Sequence, residues 1–163
     1  MLMGRLRSPP IIYGDGMTLN DLIYMTRQYC RDTNSYVFSD TQIKLFLNQG
    51  IHRLQQYKAF IGMRELANLV DVPNILPEQY HYMLALFSAS RCYDIDERFY
   101  EGVEKRNEFE SLLDDLIAEI QSGNLLLTDV DEDGNAIPVE DGTNYIEYIK
   151  DEYFKPRDSE LND

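Results

Sequence analysis

Two stretches of this chain repeat apolar residues at helical spacing, and they constrain the fold more than any other feature. In the first, Ser39-Asp40-Thr41-Gln42 has the form of a capping box, with Ser39 as N-cap and Gln42 at the third helical position. Ile43, Phe46, Leu47, Ile51, Leu54 and Ile61 follow on one stripe, and Lys44, Gln49, Arg53 and Gln56 take the opposite face. In the second, from about Asp96 to Gln121, Phe99, Val103, Phe109, Leu113, Leu116, Ile117 and Ile120 form the stripe, and Gly123 supplies the stop. At 1.5 Å per residue that helix is a rod of roughly 39 Å, longer than a small globule needs. Part of it is expected to lie against another subunit.

Two more helices complete the pattern. Thr18 and Asp21 form a capping box ahead of Leu19, Leu22, Ile23 and Tyr29, and this helix ends near Arg31 before the polar turn 32–35. Pro77 and Glu78 open another, with Tyr80, Met83, Leu84 and Phe87 as its buried face, running to about Asp94. Residues 62–76 lose the period, and 69–73 read as a short extended segment ending at Pro73. After Gly123 the character changes. Residues 125–128 read as a strand, 129–135 as a turn around Asp133-Gly134, and 136–139 as the return strand with Pro138 on a free edge. Tyr145, Ile149 and Tyr153 recur every fourth residue behind Thr143, the pattern of a short amphipathic helix.

The fold class expected is mainly α: a small antiparallel bundle of about four helices with a long fourth helix, plus a C-terminal β-hairpin and short-helix arm. Three parts are expected. Residues 1–16, with Pro9, Pro10, Gly14 and Gly16, form an N-terminal arm; 17–123 form the helical domain; 124–163 form the hairpin and extension.

Charge excludes several functions. Residues 1–93 carry nine basic and seven acidic side chains, whereas 94–163 carry six basic and 22 acidic. A net charge of -14 argues against gripping a nucleic-acid backbone, which takes clusters of Lys and Arg. No run approaches the roughly 18 apolar residues that span a bilayer, and the N-terminus lacks the apolar core of a secretory leader. Cys30 and Cys92 form no disulfide framework and read as two small buried side chains in a reducing compartment. Twelve tyrosines and no tryptophan suit half-buried positions, including subunit interfaces.

Catalytic chemistry finds few candidates. His52 and His81 lie on separate helices and read as structural histidines. Asp114 and Asp115 are helix neighbours that point apart, as on a solvated face. No phosphate-binding glycine loop or nucleophile elbow occurs, so no enzyme activity and no cofactor are expected. One segment matches a metal motif by spacing: Asp129, Asp131, Asp133, Gly134 and Glu140 fit the calcium-loop pattern. Its context does not suit an EF-hand, because Pro138 and Gly142 oppose the exiting helix and 125–128 reads as a strand. An acidic Asp-Gly hairpin is the primary reading. The alternative is a calcium-binding interaction module using the 129–140 loop.

The order of motifs resembles a known family. Met17 to Arg27 reads MTLNDLIYMTR, Phe38 to Ile51 reads FSDTQIKLFLNQGI, and Leu76 to Arg91 reads LPEQYHYMLALFSASR. The long charged helix then ends EFESLLDDL at Glu108 to Leu116. Together these resemble the head-to-tail connector, or adaptor, proteins of tailed bacteriophages. Ser39, Asp40, Ile43, Leu47, Asn48 and Ile51 match the segment that starts that family's second helix. Pro77, Glu78, Tyr80, Leu84 and Arg91 match the one that starts its third. The resemblance spans about residues 17–121.

It implies a non-enzymatic structural protein of the virion, made in the host bacterial cytoplasm and assembled into a dodecameric ring in the neck. Such a ring binds the portal protein, meets the next neck or tail-completion protein, and continues a DNA channel without binding DNA specifically. The family's C-terminal extension grips the portal. By carry-over, the portal interface here is the aromatic segment holding Tyr145, Ile146, Tyr148, Ile149, Tyr153 and Phe154.

Overall fold

The computed structural model describes residues 16–32, 37–130, 133 and 135–139. Of the arm expected over residues 1–16, all but Gly16 lies outside the described residues, as does the short helix expected over 145–153. The described part is mainly helical. Its elements are α1 (Leu19–Cys30), α2 (Asp40–Leu54), α3 (Tyr82–Ile95), α4 (Phe99–Gln121), β1 (Thr128–Val130) and β2 (Ala136–Pro138), with 3-10 turns at Lys58–Phe60 and Glu78–Tyr80.

Both capping boxes form. The Thr18 hydroxyl accepts from the Asp21 N–H at 3.1 Å while Asp21 accepts from the Thr18 N–H at 3.0 Å. Ser39 and Gln42 make the same reciprocal pair at 3.1 and 2.9 Å. Each box satisfies two N–H groups that a helix start otherwise leaves to water. Arg31 closes α1 in the left-handed conformation at φ 64°.

α3 is the hub, packing on α1, α2 and α4. Nine of its fourteen residues are buried, from Met83 to Tyr93, so it shows no clean polar face. A helix surrounded on several sides needs apolar or small residues all round. α4 folds back antiparallel on α3. Asp94 lies against Gly102, Phe87 meets Phe109 edge to face at 5.2 Å, and Tyr80 hydrogen-bonds Glu119. α1 runs parallel to α3, since Met17 meets His81 at one end and Tyr29 meets Tyr93 at the other. This is the helix alternation of an up-and-down bundle.

Three sequence expectations shift. The α2 stripe was drawn to Ile61, but the helix ends at Leu54. Ala59 and Phe60 re-enter the core from a 3-10 turn and leave Ile61 61% exposed. The Gln55 side-chain amide donates to the Met63 carbonyl at 2.7 Å, and Asn48 bonds both ways with Leu66, which turns the chain there. α3 begins at Tyr82 instead of Pro77, after the 3-10 turn. α4 starts at Phe99, so 23 residues give a rod of about 34 Å. Its buried line is Gly102, Phe109, Leu113, Leu116 and Ile120, and Phe99 and Val103 are exposed.

The strand expected at 125–128 is displaced toward the turn. Thr128 pairs with Pro138, Asp129 with Ile137 and Val130 with Ala136, antiparallel. Leu127 is buried beneath, and its carbonyl accepts from the Val139 N–H at 3.1 Å.

Candidate interaction surface

The loop between α2 and α3 is held by polar side chains, not by regular structure. Asn74 is 5% exposed; its amide donates to the Gly62 carbonyl and to Asp129, each at 3.0 Å, and its oxygen accepts from the Arg64 N–H at 2.8 Å. The contact to Asp129 ties β1 onto the helical body. Arg64 stands 4.0 Å from the same carboxylate. A groove of about 640 Å³ runs between residues 72–79 and 125–129, with His81 at its floor.

That floor offers no acid or base. Nδ1 of His81 accepts from the Met17 N–H at 3.1 Å, which leaves Nε2 to donate to the Leu76 carbonyl at 2.8 Å. Burial pushes its pKa down to about 4, so the ring is neutral at pH 7. Tyr80 is likewise committed. Burial and its bond to Glu119 push the phenol up to about 12. His81 is structural, as the sequence suggested. His52 sits on the surface with Nε2 2.7 Å from Glu65. Asp114 and Asp115 are both exposed.

Of the calcium-loop residues, Asp129 is described in detail, and it is engaged by Asn74 with Arg64 nearby. Asp133 lies in a turn and is exposed; Asp131, Gly134 and Glu140 lie outside the described residues. Among the described residues no group of three or more His, Cys, Asp or Glu is placed to hold a metal. The proposed portal segment, with Tyr145, Ile146, Tyr148, Ile149, Tyr153 and Phe154, also lies outside the described residues. No helix among them is long and apolar enough to cross a membrane.

The surface the sequence missed is the elbow joining α3 to α4. Ile95, Phe99, Tyr100 and Val103 are 53, 60, 75 and 56% exposed. The elbow is stiff. Glu97 takes φ 59°, Arg98 grips Glu101 through Nε and Nη2 at 3.0 and 2.7 Å, and its guanidinium lies over the Tyr93 ring at 5.1 Å. Helical period alone placed Phe99 and Val103 on one stripe with Phe109 and Leu113. Their exposure follows from where α3 stops, which period does not report.

Such an elbow can present apolar area to a partner; it brings together no nucleophile and base. No family model, curated protein or solved structure matches this chain.

Proposed function

We propose that the chain is a structural adaptor of a bacteriophage neck, a ring-forming subunit that binds the portal and continues the DNA channel between head and tail. The observation that carries this reading is the exposed apolar elbow, with Ile95 ending α3 and Phe99, Tyr100 and Val103 opening α4, the longest helix. A lone subunit gains nothing by leaving four large side chains in water on a stiff helical corner, whereas a ring covers them in each neighbour contact. The motif order along 17–121 supports the same reading. The acidic second half suits a channel wall that lets DNA slide by like-charge repulsion. In this reading the C-terminal extension after the hairpin grips the portal. Tyr145, Ile146, Tyr148, Ile149, Tyr153 and Phe154 contact the portal.

The test is co-expression of the full chain with a portal protein, followed by purification and negative-stain imaging. Rings of this chain seated on portal rings support the proposal, and a chain that stays monomeric and fails to co-purify refutes it. Deleting residues 143–163 should abolish portal binding while leaving the helical circular-dichroism signal. Retained binding by that truncation removes the assignment of the portal-facing segment.

A further inference from the structure

The groove between residues 72–79 and 125–129 is lined largely by apolar groups. Val72, Pro73, Leu76, Pro77, Leu125 and Leu126 form its walls, and Leu126 is 74% and Val72 38% exposed. Its volume, about 640 Å³, is that of a site for a short peptide. The first described residues of the chain lie at its floor. Gly16 is buried, and a Cβ there would lie 2.6 Å from the His81 ring and 3.1 Å from the Val72 side chain. The backbone at Gly16 is therefore wedged between floor and wall. The next N–H, that of Met17, fixes it there by donating to Nδ1 of His81 at 3.1 Å. The wall is pinned to the same helix start. The N–H groups of Leu19 and Asn20 donate to the carbonyls of Asp71 and Leu69 at 2.7 and 3.0 Å. These are first-turn donors that α1 itself cannot satisfy, so the wall and the point where the chain enters form one unit.

We propose that the groove seats the chain's own preceding segment, Ile11-Ile12-Tyr13-Gly14-Asp15, with Ile11, Ile12 and Tyr13 covering Val72 and Leu126.

Tethering, chemistry and backbone form single out this occupant. The Cα of Asp15 is 3.8 Å from that of Gly16, so the segment begins at the floor of the groove. A separate peptide would lose translational and rotational freedom on binding, which the tethered segment does not. Five extended residues span at most about 17 Å, so the apolar side chains stay within reach of the walls. Ile11 and Ile12 match the apolar lining, and Tyr13 can bury its ring while its hydroxyl stays wet. Pro9 and Pro10 disfavour a helix before the segment, which suits an extended chain lying in a groove. The seating does not depend on ring assembly.

The test photocross-links the full chain. Protein carrying Tyr13→p-benzoylphenylalanine is prepared as a mixture of isotope-labelled and unlabelled chains, irradiated and digested. The expected products join residue 13 to peptides from 72–79 or 125–129, both halves of each pair carrying the same label. Cross-links that reach another surface, that join a labelled to an unlabelled chain, or that fail to form overturn the proposal. Hydrogen exchange gives a second reading. In Ile11→Asp/Ile12→Asp, amides within 72–79 and 125–129 should exchange at least about tenfold faster than in the wild type, with α3 amides unchanged. Unchanged exchange over 125–129 overturns the proposal as well. Should that variant unfold throughout, the cross-link in the otherwise wild-type chain decides alone.

Discussion

Acidification should destabilise this protein through one histidine, by an amount the structure sets. His81 is 1% exposed and makes two hydrogen bonds as a neutral ring, one accepted from Met17 and one donated to Leu76. A second ring proton would sit on Nδ1 and point at the Met17 N–H, setting donor against donor. Burial lowers the folded-state pKa from 6.5 to about 4. The unfolded chain takes up the proton near 6.5, the folded chain only near 4. The stability held by the neutral ring is thus whole above about pH 6.5, shrinks as pH falls, and is gone below about pH 4. At about 1.4 kcal/mol per tenfold change in proton affinity, the full loss is about 3 kcal/mol, and roughly 2.5 kcal/mol of it falls between pH 7 and 4.5. That is a large part of the 5–15 kcal/mol typical of a domain. Carboxylates also titrate in this range, so the assay is a comparison. Urea unfolding of wild type and His81→Gln at pH 7 and 4.5 should show the wild type losing roughly 2.5 kcal/mol more than the variant. With only two histidines in the chain, NMR can follow each ring directly. Parallel pH profiles for the two proteins, with neither ring titrating below pH 5, would refute the reasoning.

Three further perturbations follow from single contacts. Gly16 takes φ 75°, and a Cβ there would lie 2.6 Å from the His81 ring, so Gly16→Ala should cost about 2–4 kcal/mol by thermal or urea unfolding. Arg27 is 6% exposed and donates to Asp32, Asp40 and the Phe38 carbonyl, so Arg27→Met removes the cation from the buried Asp32, which keeps the Val37 and Phe38 N–H groups, and should cost about 3 kcal/mol. Adding Asp32→Asn to that variant should cost less than the two single changes together, read from a double-mutant cycle. Asn74→Ala should detach β1 from the loop. Hydrogen exchange at the Val139 N–H should speed up well beyond any change at α3 amides.

The parts of the fold legible in the sequence are those whose cause is local. A capping box needs four consecutive residues, so Thr18/Asp21 and Ser39/Gln42 announce both helix starts. Gly123, at φ 82°, announces the end of α4 in the same way. What the sequence hides depends on partners far along the chain. The end of α2 is set by Gln55 and Asn48 reaching Met63 and Leu66. The loop over 62–76 is ordered by Asn74, and its neighbour Ile75, a β-branched residue at φ 67°, holds a conformation no propensity would assign it. The elbow is a subtler case, because the stripe drawn through Phe99 and Val103 departs from the buried line, which passes through Gly102.

That elbow repays a closer argument, since its geometry explains why α4 turns large apolar groups to solvent. At Gly102 the two antiparallel helices approach so closely that a Cβ would lie 2.5 Å from the Asp94 carboxylate and 3.2 Å from the Ser90 carbonyl. A glycine on the buried line lets the backbones meet, and it leaves no room there for a large side chain. Val103 is off that line and is turned outward. Phe99 is the first residue of α4, beyond the last turn of α3, and is 60% exposed. Further along, Phe109, Leu113 and Leu116 on the same line are 0–1% exposed. Burying a Phe, Ile or Val stabilises by about 1.5–3 kcal/mol each, so Ile95, Phe99 and Val103 together forgo several kcal/mol in an isolated subunit. A close helix crossing at Gly102 therefore fixes the elbow and exposes its corner in one step. Front-half cations meanwhile meet back-half anions, as in Arg53 with Glu110 at 2.9 Å. α4 is thus tied to the bundle, leaving Asp114 and Asp115 to face outward. The first turns of α4 thus carry the apolar corner, and its later turns carry the exposed Asp114 and Asp115.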